Sequence, residues 1–279
     1  MANVEQKLAI IVSGQGVKSS YGAGALLALA EQYQVTEPFL MICGSGSAGT
    51  GAYFVAGQPD RLRHLWVDMV SSRRVLSRRR FWKIIDIDYI IDEVCKRQHP
   101  LDARKVLQAK TRFLMPALNT KTGHIDYFDN HQGMDVFECL RAAKAMPIAY
   151  KWDPRIAVGG SLYCDSLLSA RAQTHIGKAV ECGATKILII HNMPSGKLRM
   201  DNLAFKFWMR LQPFRKSYYQ AERDVAAYHV PPSIKVLVIR PSSKLWLTTL
   251  SNRKADIQQA FDQGYDETAA NQELAAFLR

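Results

Sequence analysis

A serine between small residues, at the point where a strand turns into a helix, is a candidate nucleophile. The sharp turn lifts its hydroxyl out of the sheet plane and sets it at a helix N-terminus. The apolar run at residues 39–43 leads straight into Gly44-Ser45-Gly46-Ser47-Ala48-Gly49, and a helical pattern follows at once. Within this segment we take Ser47 as the nucleophile, with Gly46 and Ala48 as its flanks and Gly49 two residues on; Ser45 stands where a Gly-x-Ser-x-Gly pattern has its first glycine. A serine hydroxyl at neutral pH needs a base. None of the seven histidines sits in an evident catalytic motif. Asp165 is the better candidate: residues 157–165 read as strand, turn and second strand, delivering a carboxylate after an apolar stretch. A helix cap is the other role open to it.

The first apolar run, at residues 8–12, ends in a second glycine-rich turn, Ser13-Gly14-Gln15-Gly16-Val17-Lys18-Ser19, which opens a helix of small residues. Successive backbone N–H groups in such a turn form an anion-binding nest. In acyl transfer the nest is an oxyanion hole, so the amides of Gly14, Gln15, Gly16 and Val17 are the expected donors. A phosphate loop and a dinucleotide turn are the rival readings. The Walker lysine–serine arrangement is absent, and Ser19 replaces the third glycine of the dinucleotide fingerprint.

Elements of a definite kind must carry these turns. Continuous apolar runs at residues 8–12, 39–43, 113–117, 187–190 and 234–239 alternate with helical patterns, as buried parallel strands do. The expectation is a layered α/β fold with a mostly parallel sheet. Residues 170–182 read as the crossover helix into the 187–190 strand, residues 89–94 as a surface helix, and residues 256–278 as a C-terminal helical region interrupted near Gly264. With 279 residues and no linker or repeat, one domain is expected, with a core over about 8–192 and a C-terminal extension over about 193–279.

Several ordered segments resemble the patatin-like phospholipase family, from about Leu8 to Gly264. They are Gly14-Gln15-Gly16-Val17-Lys18-Ser19, Ser45-Gly46-Ser47-Ala48-Gly49, the strand and turn at residues 117–123, Leu140-Arg141-Ala142-Ala143-Lys144-Ala145-Met146-Pro147, and Asp165-Ser166-Leu167. Serine stands at positions 19, 45 and 166, where the family has glycine. The resemblance implies a three-layer α/β/α patatin-like fold with a mostly parallel central sheet. It also implies a serine acyl hydrolase acting on fatty-acyl esters of phospholipids or other lipids through a Ser47–Asp165 dyad without histidine, and no cofactor.

Composition narrows the partners. The formal net charge is +12, from 37 Lys and Arg against 25 Asp and Glu. Six of the basic residues lie between Arg73 and Lys83 and four between Phe205 and Lys216, both acid-free, so 27 basic residues face 25 acidic ones elsewhere. Both stretches carry Trp and Phe, which suit the boundary between lipid headgroups and acyl chains. They are expected to touch an anionic membrane, the alternative being core aromatics beneath a solvated basic face. No zinc-finger spacing, RNP-like motif or recognition helix is visible, so no nucleic acid is expected. The five cysteines have no metal-binding spacing and are expected as reduced core thiols, and the N-terminal residues lack a secretory pattern, which points to the cytoplasm. Two functional alternatives stay open: a catalytically weak lipid- or membrane-binding protein on the same fold, and a nucleotide-dependent reductase using the first glycine-rich turn.

Overall fold

The computed structural model describes residues 6–194 and 203–279; the N-terminal reading at residues 1–5 and part of the expected extension, residues 195–202, lie outside them. Among the described residues eight strands form one sheet: β1 (Leu8–Val12), β2 (Leu40–Cys43), β3 (Arg112–Asn119), β4 (Ile125–Asp129), β5 (Ile156–Val158), β6 (Ser161–Cys164), β7 (Lys186–Ile190) and β8 (Lys235–Ile239). Their order is β5-β6-β3-β2-β1-β7-β8, with β4 also paired to β3. The five strands expected from apolar runs are all present, and β3, β2, β1, β7 and β8 run parallel. The antiparallel strands gather at one side.

Side-chain alternation divides the sheet into two faces. Ile10, Val12, Met41, Cys43 and Phe113 face a thick layer of helices. It contains α1 (Ser19–Gln32), α2 (Gly46–Val55), α3 (Val136–Lys144) and α7 (Lys254–Ala269). Ala9, Ile11, Leu40, Ile42, Ile187 and Ile189 face the opposite layer, built from helical turns over residues 172–181. The same side carries α4 (Leu167–Ala170), α5 (Leu203–Arg210) and α6 (Arg215–Ala227), whose Phe205, Trp208 and Tyr218 pack on Leu118 and Leu168. The fold is therefore three-layered α/β/α with a mostly parallel sheet.

Several local expectations are corrected. The crossover before β7 is a 3₁₀ turn (Ala172–His175) followed by a short helix (Ile176–Glu181), not one continuous helix. Helix α7 runs unbroken through Gly264 and ends at Ala269. A Cβ on Gly264 would lie 2.0 Å from the Tyr21 carbonyl oxygen, and one on Gly24 would lie 2.0 Å from that of Phe261. These glycines let α1 and α7 touch backbone to backbone. Residues beyond 193 supply β8 to the sheet and α7 to the helical layer.

The chain runs β1 to β2 to β3 in one direction across the sheet, then returns to lay β7 and β8 on the other side of β1. A reversal of this kind leaves a crevice at the carboxyl ends of the central strands, where α/β proteins place ligands. The turns after β1, β2 and β7 all open there. All five cysteines are free thiols, four of them buried and Cys182 half-buried.

Candidate active site

Strand β2 ends at Cys43 and α2 begins at Gly46, so Ser45 is the residue at the tip of the turn. Its backbone has φ 48° and ψ −122°. For a residue with a Cβ, such a conformation costs on the order of 1–3 kcal/mol and persists only where the surroundings impose it. The surroundings here are close. A Cβ on Gly44 would lie 2.2 Å from the Ser169 carbonyl oxygen, and one on Gly46 would lie 2.6 Å from that of Gly16. Glycine at those two positions lets the turn close between the loop after β1 and the segment after β6.

The hydroxyl that meets Asp165 is not that of Ser47, the nucleophile expected from sequence, but that of Ser45, two residues before it. Ser45 Oγ donates to Asp165 Oδ2 at 2.5 Å. Ser47 is the second residue of α2, fully buried, and its hydroxyl donates to the Ser13 carbonyl oxygen at 2.8 Å. The structure thus pairs Asp165 with Ser45, not with Ser47. Among the described residues, no histidine hydrogen-bonds to Ser45 or Asp165.

Asp165 follows β6 directly and is buried. Besides Ser45, its carboxylate accepts from Ser169 Oγ at 2.9 Å and from the Ser166 N–H at 2.8 Å. Burial pushes its pKa up to about 6, and these hydrogen bonds together with the nearby Lys144 ammonium oppose a larger rise. The carboxyl is therefore ionised at neutral pH yet more basic than an exposed aspartate. The helix after it is capped by the Ser166 side chain, so Asp165 is not the cap. Behind Ser169, the buried His175 contacts the Ser169 carbonyl oxygen through Nε2 at 3.0 Å and the Tyr127 hydroxyl through Nδ1 at 3.0 Å. Burial holds its pKa down at about 4.

The expected oxyanion donors are mostly committed. Gly14 N–H donates to Ala170, Val17 N–H to Thr249 and Gln15 N–H to the Ser19 hydroxyl. Ser19 has φ −64° and Ser166 φ −148°, so of the serines at positions 19, 45 and 166 only Ser45 has positive φ. The effect of Ser19 is instead to occupy the Gln15 amide. Two N–H groups near Ser45 have no protein acceptor among the described residues: that of Gly16, and that of Gly46, the residue after Ser45. An amide after the nucleophile and one from the loop after a neighbouring strand make up the usual pair for this kind of elbow.

Asn192, just beyond β7, ties these turns together. Its side-chain amide donates to the Ser13 carbonyl oxygen and to the hydroxyls of Ser19 and Ser47, and its Oδ1 accepts from Gly22 N–H at 2.8 Å. Sequence reading missed Ser45, Lys144 and Asn192. The signal for Ser45 was present: with the strand ending at Cys43, a residue at the turn's tip must precede the helix, not lie inside it.

Two cavities meet at Ser45 and Gly16. One, of about 80 Å³, is walled by Trp66, Val70, Val75, Leu76, Ile85 and Ile90, with Lys144 also in its lining. The other, of about 540 Å³, contains Asp165 and passes Ile84, Ala149, Ala204 and Thr249. Both cavities are lined mainly by apolar side chains, and both reach Ser45. Among the described residues no group of three or more His, Cys, Asp or Glu side chains is placed to hold a metal ion.

The fold has a counterpart among solved structures. VipD from Legionella pneumophila aligns over 98% of this chain and 67% of its own, with a TM-score of 0.54 and 11% identity. At that identity the likeness concerns the fold alone. No family model and no curated protein matches the chain. No described helix is long and apolar enough to cross a membrane.

Proposed function

We propose that the protein is a patatin-like serine acyl hydrolase acting on lipid esters, with Ser45 as nucleophile and Asp165 as base. The observation that carries this reading is the 2.5 Å hydrogen bond between Ser45 and Asp165 at a strained turn beside two unused amides. Ser45 Oγ attacks the ester carbonyl carbon while its proton passes to Asp165 Oδ2. Negative charge gathers on the carbonyl oxygen, facing the N–H groups of Gly16 and Gly46. Collapse breaks the ester bond, the departing alcohol takes the proton from Asp165, and the acyl group stays on Ser45. Water, deprotonated by Asp165, then releases the carboxylic acid and restores the serine.

A lipid substrate fits the approach to the site. Six large apolar side chains, Phe81, Trp82, Trp152, Leu203, Phe207 and Trp246, are each more than half exposed. All lie within four residues of cavity-lining positions Ile84, Ala149, Ala204, Phe205 and Thr249. Arg73, Arg74, Arg78 and Arg79 are exposed beside this rim, and Arg210, Arg215, Lys216 and Arg223 line a concavity next to α5. Aromatic side chains with flanking cations suit an anionic lipid surface, where the protein would bind peripherally. In the second basic stretch Phe205 and Trp208 are core, whereas Phe207 and Leu211 face outward.

One observation favours a weaker catalyst that mainly binds lipid: Ser19 occupies the Gln15 amide, so the loop after β1 offers a single free donor. Turnover of a short-chain chromogenic ester and of phospholipid, together with fluorophosphonate labelling, separates the readings. Labelling of Ser45, with loss of turnover in Ser45→Ala and Asp165→Ala, supports the hydrolase. Vesicle binding without turnover or labelling supports the binder.

A further inference from the structure

Lys144 is an unusual residue to find in the lining of an apolar cavity. It ends α3 and its ammonium donates to the carbonyl oxygens of Ser45, at 3.2 Å, and Gly46, at 3.0 Å. Among the described residues no carboxylate forms an ion pair with it. Holding an ammonium in such surroundings costs several kcal/mol unless its contacts compensate. Those contacts are specific. The Ser45 carbonyl belongs to the same planar peptide as the Gly46 N–H, and in a trans peptide the two point in opposite directions. Whatever fixes and polarises the carbonyl on one side also fixes and polarises the N–H on the other.

We propose that Lys144 is a positioning residue: by gripping the Ser45 carbonyl it aims and strengthens the Gly46 N–H as an oxyanion donor, holding the strained elbow in its reactive conformation. This rests on the hydrolase reading above. The ammonium needs no contact with substrate; it acts through the backbone. The titratable groups that face it are the thiols of Cys43 and Cys95 and the Asp165 carboxylate. Burial lowers the Lys144 pKa to about 8, so the grip weakens as the solution becomes mildly alkaline. Both thiols are held protonated by burial and do not compete in that range.

The test compares wild type with Lys144→Met, which keeps the length and removes the charge, and Lys144→Gln, which keeps a neutral donor. With a short-chain chromogenic ester, Lys144→Met is expected to lower kcat by about tenfold to a hundredfold, less than the full loss of a donor, with KM within about twofold. Lys144→Gln should fall between. The alkaline decline in wild-type kcat near pH 8 should vanish in Lys144→Met. Independently of turnover, the Gly46 amide NMR shift should titrate near pH 8 in wild type and stay flat in Lys144→Met. Unchanged kcat and pH profile in Lys144→Met, a loss confined to KM, or a Gly46 shift that ignores Lys144 would overturn the proposal. Full turnover in Ser45→Ala would instead defeat the hydrolase reading, and the Gly46 titration would still report on the Lys144 contact.

Discussion

Replacing Ser45 and Ser47 separately is the sharpest test of the site, because two serines two residues apart have opposite surroundings. Ser47 Oγ gives one hydrogen bond to the Ser13 carbonyl oxygen and receives a 3.3 Å contact from Asn192 Nδ2. In Ser47→Ala, that carbonyl keeps Asn192 as a donor and Asn192 keeps Ser13 and Ser19 as acceptors. No buried polar group is orphaned, so the expected cost is the net worth of one hydrogen bond, about 1 kcal/mol. That is a drop in Tm of about 2–4 °C for a domain of this size. Turnover should stay within about tenfold of wild type, short of the roughly hundredfold that a misplacement of about 1 Å costs. Ser45→Ala removes the attacking oxygen, and turnover should fall by at least about 10⁴-fold. Asp165 then keeps only the Ser169 and Ser166 donors, while the alanine Cβ retains the positive-φ strain. The assay is steady-state ester hydrolysis with differential scanning fluorimetry on the same preparations, and mass mapping of a fluorophosphonate adduct. An adduct on Ser47, or a dead Ser47→Ala beside an active Ser45→Ala, would refute the reasoning.

The Asp165 carboxyl makes turnover pH-dependent: kcat/KM should decline below about pH 6 as the base takes up a proton. Its folded-state pKa lies above the ordinary carboxylate value, so its contribution to stability is fully present below about pH 4 and is lost as pH rises through about 6. Asp165→Asn should therefore gain Tm relative to wild type between pH 4 and 7 while losing turnover; melting curves across that range check the sign. Ser19→Ala frees the Gln15 amide and is expected to raise kcat by several-fold if that N–H reaches the oxyanion, a change read directly in the ester assay. Exchanging Phe81 and Trp82 for serine should weaken sedimentation with anionic vesicles while leaving hydrolysis of a soluble short-chain ester unchanged; equal vesicle binding would remove that part of the rim from the docking surface.

Four of the parallel strands were legible because each is buried on both faces and so reads as an unbroken apolar run; β8 reads the same way although Val236 and Val238 on one of its faces are exposed. Asp165 was legible for a related reason, a carboxylate set directly behind an apolar strand. Ser47 was expected as the nucleophile because Ser47-Ala48-Gly49 matched a familiar spacing; the strand's last residue, Cys43, and the helix's first, Gly46, instead put Ser45 at the tip of the turn, beside Asp165. Lys144 was silent in the sequence, since a lysine in the last turn of a helix ordinarily reaches solvent and favours the negative end of the dipole. Asn192 was silent too, because its partners lie more than 140 positions away. Gly264 was misread as a break because glycine lowers helix propensity; the close approach of α1 that requires it is invisible without the pairing of the two helices.

The glycine-mediated seam between α1 and α7 sets the order in which the molecule can mature. Residues 19–32 leave the ribosome early, but the helix they clasp emerges only after some 220 further residues have been made, and Thr249, which anchors the loop after β1, arrives almost as late. Until then the elbow and its carboxylate can be synthesised without a fixed anion cradle beside them. On the proposed hydrolase reading, a nascent chain would therefore carry the serine and carboxylate before the site beside them is complete.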